Sequence, residues 1–188
     1  APLFKKWLIY SYDQADTLIT PTPYSKKLID SYHIGLNCHP VSNGVDLSKF
    51  VYNSEEGINF RKEYDFKLTD NIVLSVGLQI KRKGILDFIS ITKELPNIQF
   101  VWCGYTDPRL MTKDVKEAMK DLPENVHFLG YINNMIGAYS ASDLFFMPTK
   151  EETEGIVVLE ALAMKKPVLI RAIPVYDEWL EDGINCHK

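Results

Sequence analysis

An α/β fold built on a parallel sheet is what this sequence predicts, and three observations carry the prediction. From Asn71 onward, short apolar runs rich in β-branched residues alternate with longer segments of helical period, the pattern of strands covered by helices. Three of the runs close on a glycine, at Gly77, Gly104 and Gly130, where a tight turn ends a strand. The length, 188 residues, suits one such domain, or one with the tail of another, and is ample to bury a core.

Taken in order, Phe4 to Ala15 reads as an aromatic-rich helix, Thr17 to Pro21 as a short strand, and Ser25 to Tyr32 as a helix opened by Ser25 as its cap. This piece stands apart from the rest. It leads into His39-Pro40-Val41-Ser42-Asn43-Gly44-Val45-Asp46, where Asn43-Gly44 is a strong turn signal. Asp46 to Asn59 is polar and poorly periodic, so residues 43–70 read as a linker and the entry to the next domain. In residues 71–188 the strands are Ile72 to Gly77, Ile98 to Gly104, Val126 to Gly130, Leu144 to Pro148 and Val168 to Arg171. Helices are expected at Ile85 to Glu94, Thr112 to Leu122, Asn134 to Ser140, Ile156 to Met164 and Val175 to Glu181. Ala1 opens directly into a helical pattern and the chain stops just after the Asp182-Gly183 turn, so both ends read as cut from a longer chain.

Composition narrows the chemistry. The net charge of -4 offers no basic excess for nucleic acid as the main partner. Three scattered cysteines without a CxxC spacing point away from a disulfide framework and toward a reducing, cytoplasmic setting. The four histidines form no close pair, so no metal site and no metal cofactor are expected. No apolar run reaches the roughly 18 residues of a spanning helix, and no signal-peptide pattern opens the chain.

Open parallel sheets bind ligands beyond the carboxyl ends of their strands, which singles out three places. The first is Gly77-Leu78-Gln79-Ile80-Lys81-Arg82-Lys83-Gly84, with three consecutive cations on one turn. Arg82 offers a planar fork and Lys83 a compact charge, suited to a diphosphate; a merely solvated basic loop is the competing account. The second runs from Lys150 to Ala163. Here acids crowd a loop before a helix that starts at Gly155, whose missing side chain lets a ligand approach the free backbone N–H groups of the helix start. Glu151 and Glu154 are as well explained by the helix dipole, but Glu160 lies in an apolar helix and needs a partner or a ligand. The third comprises Cys103-Gly104-Tyr105 and Gly130-Tyr131-Ile132, where a base could pass close to the backbone or the glycines could simply make turns.

Together these segments resemble the retaining glycosyltransferases of GT-B architecture, the glycosyl transferases group one family, over essentially the whole chain. The marks are Glu152 and Glu160 separated by seven residues, followed by Ala161-Leu162-Ala163 and Pro167-Val168; Ser42-Asn43-Gly44-Val45-Asp46; Arg82-Lys83-Gly84; and Asn125-Val126-His127-Phe128-Leu129-Gly130. The resemblance implies a Rossmann-like parallel sheet with helices on both faces, the C-terminal, donor-binding lobe. Residues 1–42 would end the N-terminal acceptor lobe and cross to it. It also implies that Arg82 and Lys83 bind the donor diphosphate and, with Glu152, form the catalytic set. Gly77, Gly104, Glu154, Gly155, Ile156 and Val157 would complete the donor site, with Tyr131 and Ile132 bordering the base and Glu160 taking the ribose hydroxyls. Tyr139 to Pro148 and Arg171 to Tyr176 look like the subgroup that makes glucosyl-diacylglycerol in bacterial membranes. That implies UDP-glucose as donor, a lipid acceptor reached through the other lobe, and peripheral contact with the inner face of the cell membrane. Three departures stand out: Leu78 where many members carry arginine, Glu154 where they carry an aromatic, and Lys165 where glycine is usual. Two other readings use the same residues, a nucleotide-sugar epimerase and a non-catalytic nucleotide-binding module.

Overall fold

Successive side chains of a strand point to opposite faces, and along the central strands of this chain they sort into two separate hydrophobic clusters. The computed structural model describes residues 2–34 and 36–188; Ala1, with which the first helical pattern opens, lies outside them. Five strands form one parallel sheet: β3 (Ile72–Val76), β4 (Gln99–Cys103), β5 (Val126–Gly130), β6 (Leu144–Met147) and β7 (Val168–Ile170). Their order is β5-β4-β3-β6-β7. The chain winds outward from β3 and then returns to its other side, which leaves a crevice beyond the carboxyl ends of β3 and β6.

Val73, Phe100, Trp102 and Phe146 point to one face and pack on α4 (Ile85–Glu94) and α5 (Lys113–Ala118). Phe88 of α4 sits at the centre, edge-on to Phe100 and Trp102 with centroids 5.6 and 5.0 Å away. Burying each such ring stabilises the fold by roughly 1.5–3 kcal/mol. Leu74, Val101, Phe145 and Met147 point to the other face, onto α3 (Ser54–Glu63), α6 (Met135–Ala141) and α7 (Ile156–Ala163). The predicted α/β class, with helices on both faces, is the one the chain adopts.

The N-terminal piece has its own two-stranded parallel sheet, β1 (Leu18–Thr20) on β2 (Cys38–Pro40), with α1 (Pro2–Tyr12) and α2 (Pro23–Asp30). Ser25 is not the cap of α2. Thr22 is, its Oγ1 accepting from Ser25 N at 3.1 Å. Pro23, preset for the first helical position, starts the helix earlier than the serine suggested.

Two further expectations need correction. The stretch read as linker contains α3, capped by Asn53, whose side chain accepts from Glu56 N at 3.1 Å. Its buried face carries one large apolar side chain, Phe60, beside Gly57 and Arg61, too little of a stripe to reveal it. Gly57 lies so close to α6 that a Cβ would be 3.0 Å from Ser140 C, and the buried Arg61 donates to the carbonyls of Lys67, Asp70 and Ala141 at 2.8, 2.9 and 2.6 Å. The helix expected over Val175 to Glu181 is only a 3₁₀ turn at Pro174–Tyr176. Beyond it the chain folds back along β7, where Ile170 N donates to His187 O and His187 N to Val168 O, both at 2.8 Å.

The glycine missing at Lys165 has a visible consequence. After α7, Lys166 N donates to Ala161 O and Lys165 N to Leu162 O, both at 2.9 Å. This is the double-bonded helix end that needs a left-handed residue, and Lys165 supplies it at φ 57°. Relieving that strain, less the extra freedom glycine gains when unfolded, is worth about 0.5–1 kcal/mol. Lys165→Gly is therefore expected to raise the midpoint of thermal unfolding, measured by circular dichroism, and Lys165→Ala to leave it near the wild-type value.

Candidate functional site

The floor of the crevice is made where strands end. A Cβ on Gly104 would lie 2.0 Å from Gly77 O, and Trp102 Nε1 donates to that same carbonyl at 2.8 Å. Gly104 N donates to Gly130 O at 2.6 Å. The absence of a side chain at Gly104 thus answers to the neighbouring backbone, and the ends of β3, β4 and β5 form one continuous surface.

One wall joins the basic turn to the loop after β6. Lys81–Lys83 form a 3₁₀ turn that ends at Gly84, whose φ of 81° lets the backbone press against β6. A Cβ there would lie 2.2 Å from Pro148 O. Lys150 N seals the contact by donating to Arg82 O at 2.8 Å. The three cations then diverge. Lys81 pairs outward with Asp114 at 2.8 Å. Arg82 donates to Glu151 O at 2.7 Å and lies 3.8 Å from Glu152 Oε2. Lys83 pairs directly with Glu152, whose Oε1 also accepts from Thr149 Oγ1 at 3.1 Å. The Glu152 side chain is only 8% exposed, and a carboxylate so far from water needs this partner.

The opposite wall is α7, which starts at Gly155 without a side-chain cap. Between the walls lies a cavity of about 840 Å³. It is lined by Gly77, Arg82 and Lys83 on one side, Val157 and Glu160 on another, and Gly104, Tyr131 and Ile132 at the end toward β5. Of the residues singled out in the sequence, those eight meet in one cleft, and Glu152 reaches it through Lys83. Three do not. Glu154 is turned away, accepting from Asn43 Nδ2 at 2.5 Å and Asn43 N at 3.2 Å. The space over Gly155 is taken by the buried ring of Tyr176, whose Oη would lie 2.8 Å from a Cβ there. Ile156, at 44% exposure, points its side chain outward as the first residue of α7.

Two residues that the sequence reading left unassigned enter from the crossing segment. Asp46 Oδ1 accepts from Ser48 N, Ser48 Oγ and Lys49 N at 2.9, 2.6 and 3.2 Å. This turn delivers Lys49 and Phe50 to the cavity wall. The signal was the aspartate two residues before a serine, an arrangement that turns the chain. A third, Tyr139, is fully buried behind the wall and donates to Glu160 Oε2 at 2.8 Å.

Burial pushes the Glu160 carboxyl above its ordinary pKa, while the Tyr139 bond and the Lys49 charge pull it back. Between the ordinary and the raised value the folded chain binds more protons than the unfolded one, so stability falls as pH rises through that window. Glu160→Gln removes this loss. Its stability relative to wild type, from urea unfolding at a series of pH values, is expected to be lowest in acid and to climb toward neutrality. A difference that is flat with pH would show that Glu160 is not held in a desolvated position.

The family model for Glycosyl transferases group 1 matches residues 58–186. The chain is 44% identical over 185 residues to the processive diacylglycerol alpha-glucosyltransferase of Acholeplasma laidlawii, covering 96% of this chain and 55% of that protein. It is 29% identical over 192 residues to the alpha-galactosylglucosyldiacylglycerol synthase of Streptococcus pneumoniae, covering 98% and 51%. It thus spans about half the length of these curated relatives. Among solved structures, Anabaena Alr3699/HepE in complex with UDP and glucose superposes with a TM-score of 0.85 at 18% identity, covering 100% of this chain and 54% of that one. The fold it shares is the one expected, the C-terminal lobe of the GT-B architecture. By the family match and the identity to these relatives, the chain belongs to the glycosyl transferases group 1 family.

Proposed function

We propose that this chain is the donor-binding half of a retaining hexosyltransferase that moves glucose from UDP-glucose to a diacylglycerol-type lipid. The observation that carries the reading is the single cleft with Arg82 and Lys83 on one wall and Val157 and Glu160 of α7 on the other. The names of the two relatives, a diacylglycerol glucosyltransferase and a galactosylglucosyldiacylglycerol synthase, support the acceptor class. On this reading residues 1–42 close an acceptor lobe and cross to the donor lobe. The protein works peripherally at the inner face of the cell membrane; no helix among the described residues is long and apolar enough to cross one.

The barrier lies in separating a cation-like sugar from its diphosphate. The bond from the anomeric carbon to the phosphate oxygen breaks, and UDP leaves with the electron pair. The lipid hydroxyl oxygen bonds to that carbon on the same face and gives its proton to the departing phosphate. Fixed positive charge at the diphosphate acts where negative charge develops, and we assign it to Arg82, Lys83 and the first amides of α7, without a resident metal. Glu152 pairs with Lys83. Once the diphosphate takes over that ammonium, Glu152 is released to accept from sugar hydroxyls.

Calorimetric titration with UDP-glucose, UDP-galactose, UDP-N-acetylglucosamine and GDP-mannose tests the reading, with UDP-glucose expected to bind most tightly. Each charge-assisted hydrogen bond is worth roughly 1.5 kcal/mol or more. Arg82→Ala combined with Lys83→Ala should therefore weaken UDP-glucose about 100-fold. Unchanged affinity in the double variant removes the phosphate clamp.

A further inference from the structure

Glu160 is the only acid among the described residues that line the cavity. A carboxylate has two oxygens and about four acceptor positions. Here Oε2 takes the hydrogen bond from Tyr139 Oη at 2.8 Å, which leaves Oε1 for the cavity. Tyr139 cannot follow a moving partner. Its ring is fully buried, edge-on to Phe50 at 6.2 Å and 74° and tilted against Phe145 at 5.8 Å. Its Oη also lies 3.2 Å from Val157 O, three residues before Glu160 on the same side of α7. The hydroxyl is thus anchored at two points of the helix that carries the acid.

We infer that Tyr139 is a positioning residue that holds Glu160 to accept from a vicinal pair of sugar hydroxyls, so that the site selects a ribonucleotide over a 2′-deoxyribonucleotide. The inference rests on the donor reading above. A carboxylate free to swing satisfies itself with the one hydroxyl that a deoxyribose offers. One held at Oε2 presents its remaining acceptor positions in fixed directions, and a sugar lacking the second hydroxyl leaves a desolvated acceptor unpaired. The Tyr139 bond and the charge of Lys49, which also lines the cavity, both favour the anion, which is an acceptor only. The ring of Phe50 braces Tyr139 from the crossing segment, so the selectivity depends on a residue outside the sheet.

The test is titration of this chain with UDP and with 2′-deoxy-UDP, read as the ratio of the two affinities. Wild type is expected to favour UDP by about 10- to 100-fold, the worth of one hydrogen bond to a charged group. Tyr139→Phe keeps the ring and deletes the hydroxyl; the ratio should fall to about threefold or less, with 2′-deoxy-UDP bound nearly as before. Phe50→Leu loosens the ring without touching either polar group and should give an intermediate ratio; it carries the test if Tyr139→Phe does not fold. A purely structural role would weaken both nucleotides together. A folded variant that keeps the wild-type ratio overturns the inference, as does a wild type that binds UDP and 2′-deoxy-UDP equally. A wild type that binds neither nucleotide overturns the donor reading itself.

Discussion

The site depends on one backbone approach, that of Gly84 to the end of β6. The two chain segments that meet there are far apart in sequence, and each carries charge that would be poorly placed alone. Three cations in a row repel one another, and a carboxylate as buried as Glu152 is costly without a partner. Because Gly84 has no side chain to hold the segments apart, Pro148 O can lie where a Cβ would be, and Lys83 reaches Glu152. Each of these two largely buried charges is thereby compensated by the other.

The loop that carries Glu152 is held from a second side. Thr22 and Ser25, at the start of α2, both donate to Thr153 O, at 2.8 and 3.2 Å. Asn43, in the crossing segment, donates to Glu154. Residues on both sides of the long crossing thus grip the two positions between Glu152 and Gly155. The crossing also supplies Lys49 and Phe50 to the cavity. A shift of the N-terminal piece against the sheet would move the loop from one end and the Glu160 surroundings from the other, which ties donor geometry to the placement of that piece.

Much of the sheet was legible because its strands are buried on both faces and read as apolar runs, and because alternation of strand and helix leaves few ways to arrange them. The basic turn and Glu160 were legible for a related reason: charges at strand ends and acids in apolar helices are out of place unless something uses them. The failures share a cause as well. α3 buries Gly57 and Arg61 beside a single large apolar residue, Phe60, where a full apolar stripe would be expected, so much of its face is set by backbone approach and by carbonyls contributed from other segments. Glu154 looks like its neighbours in sequence, yet its direction is decided by Asn43, more than a hundred residues away. Gly155 shows the same limit. Its place at a helix start was expected, but the space above it belongs to Tyr176, and no local pattern announces that contact.

Glu152 and Glu160 show how little residue type alone determines. Glu152 sits in a loop, against an ammonium, and is held by a charge that a competing anion can displace. Glu160 sits within a helix, partly desolvated, and is held by a neutral hydroxyl that no anion competes for. On the proposed donor reading, an arriving diphosphate loosens the first arrangement and leaves the second in place. A helix start lies between them, so the short spacing that makes the pair recognisable also places the two acids on different supports. On that reading one acid changes partners as ligand enters, and the other stays fixed as a point of reference for it.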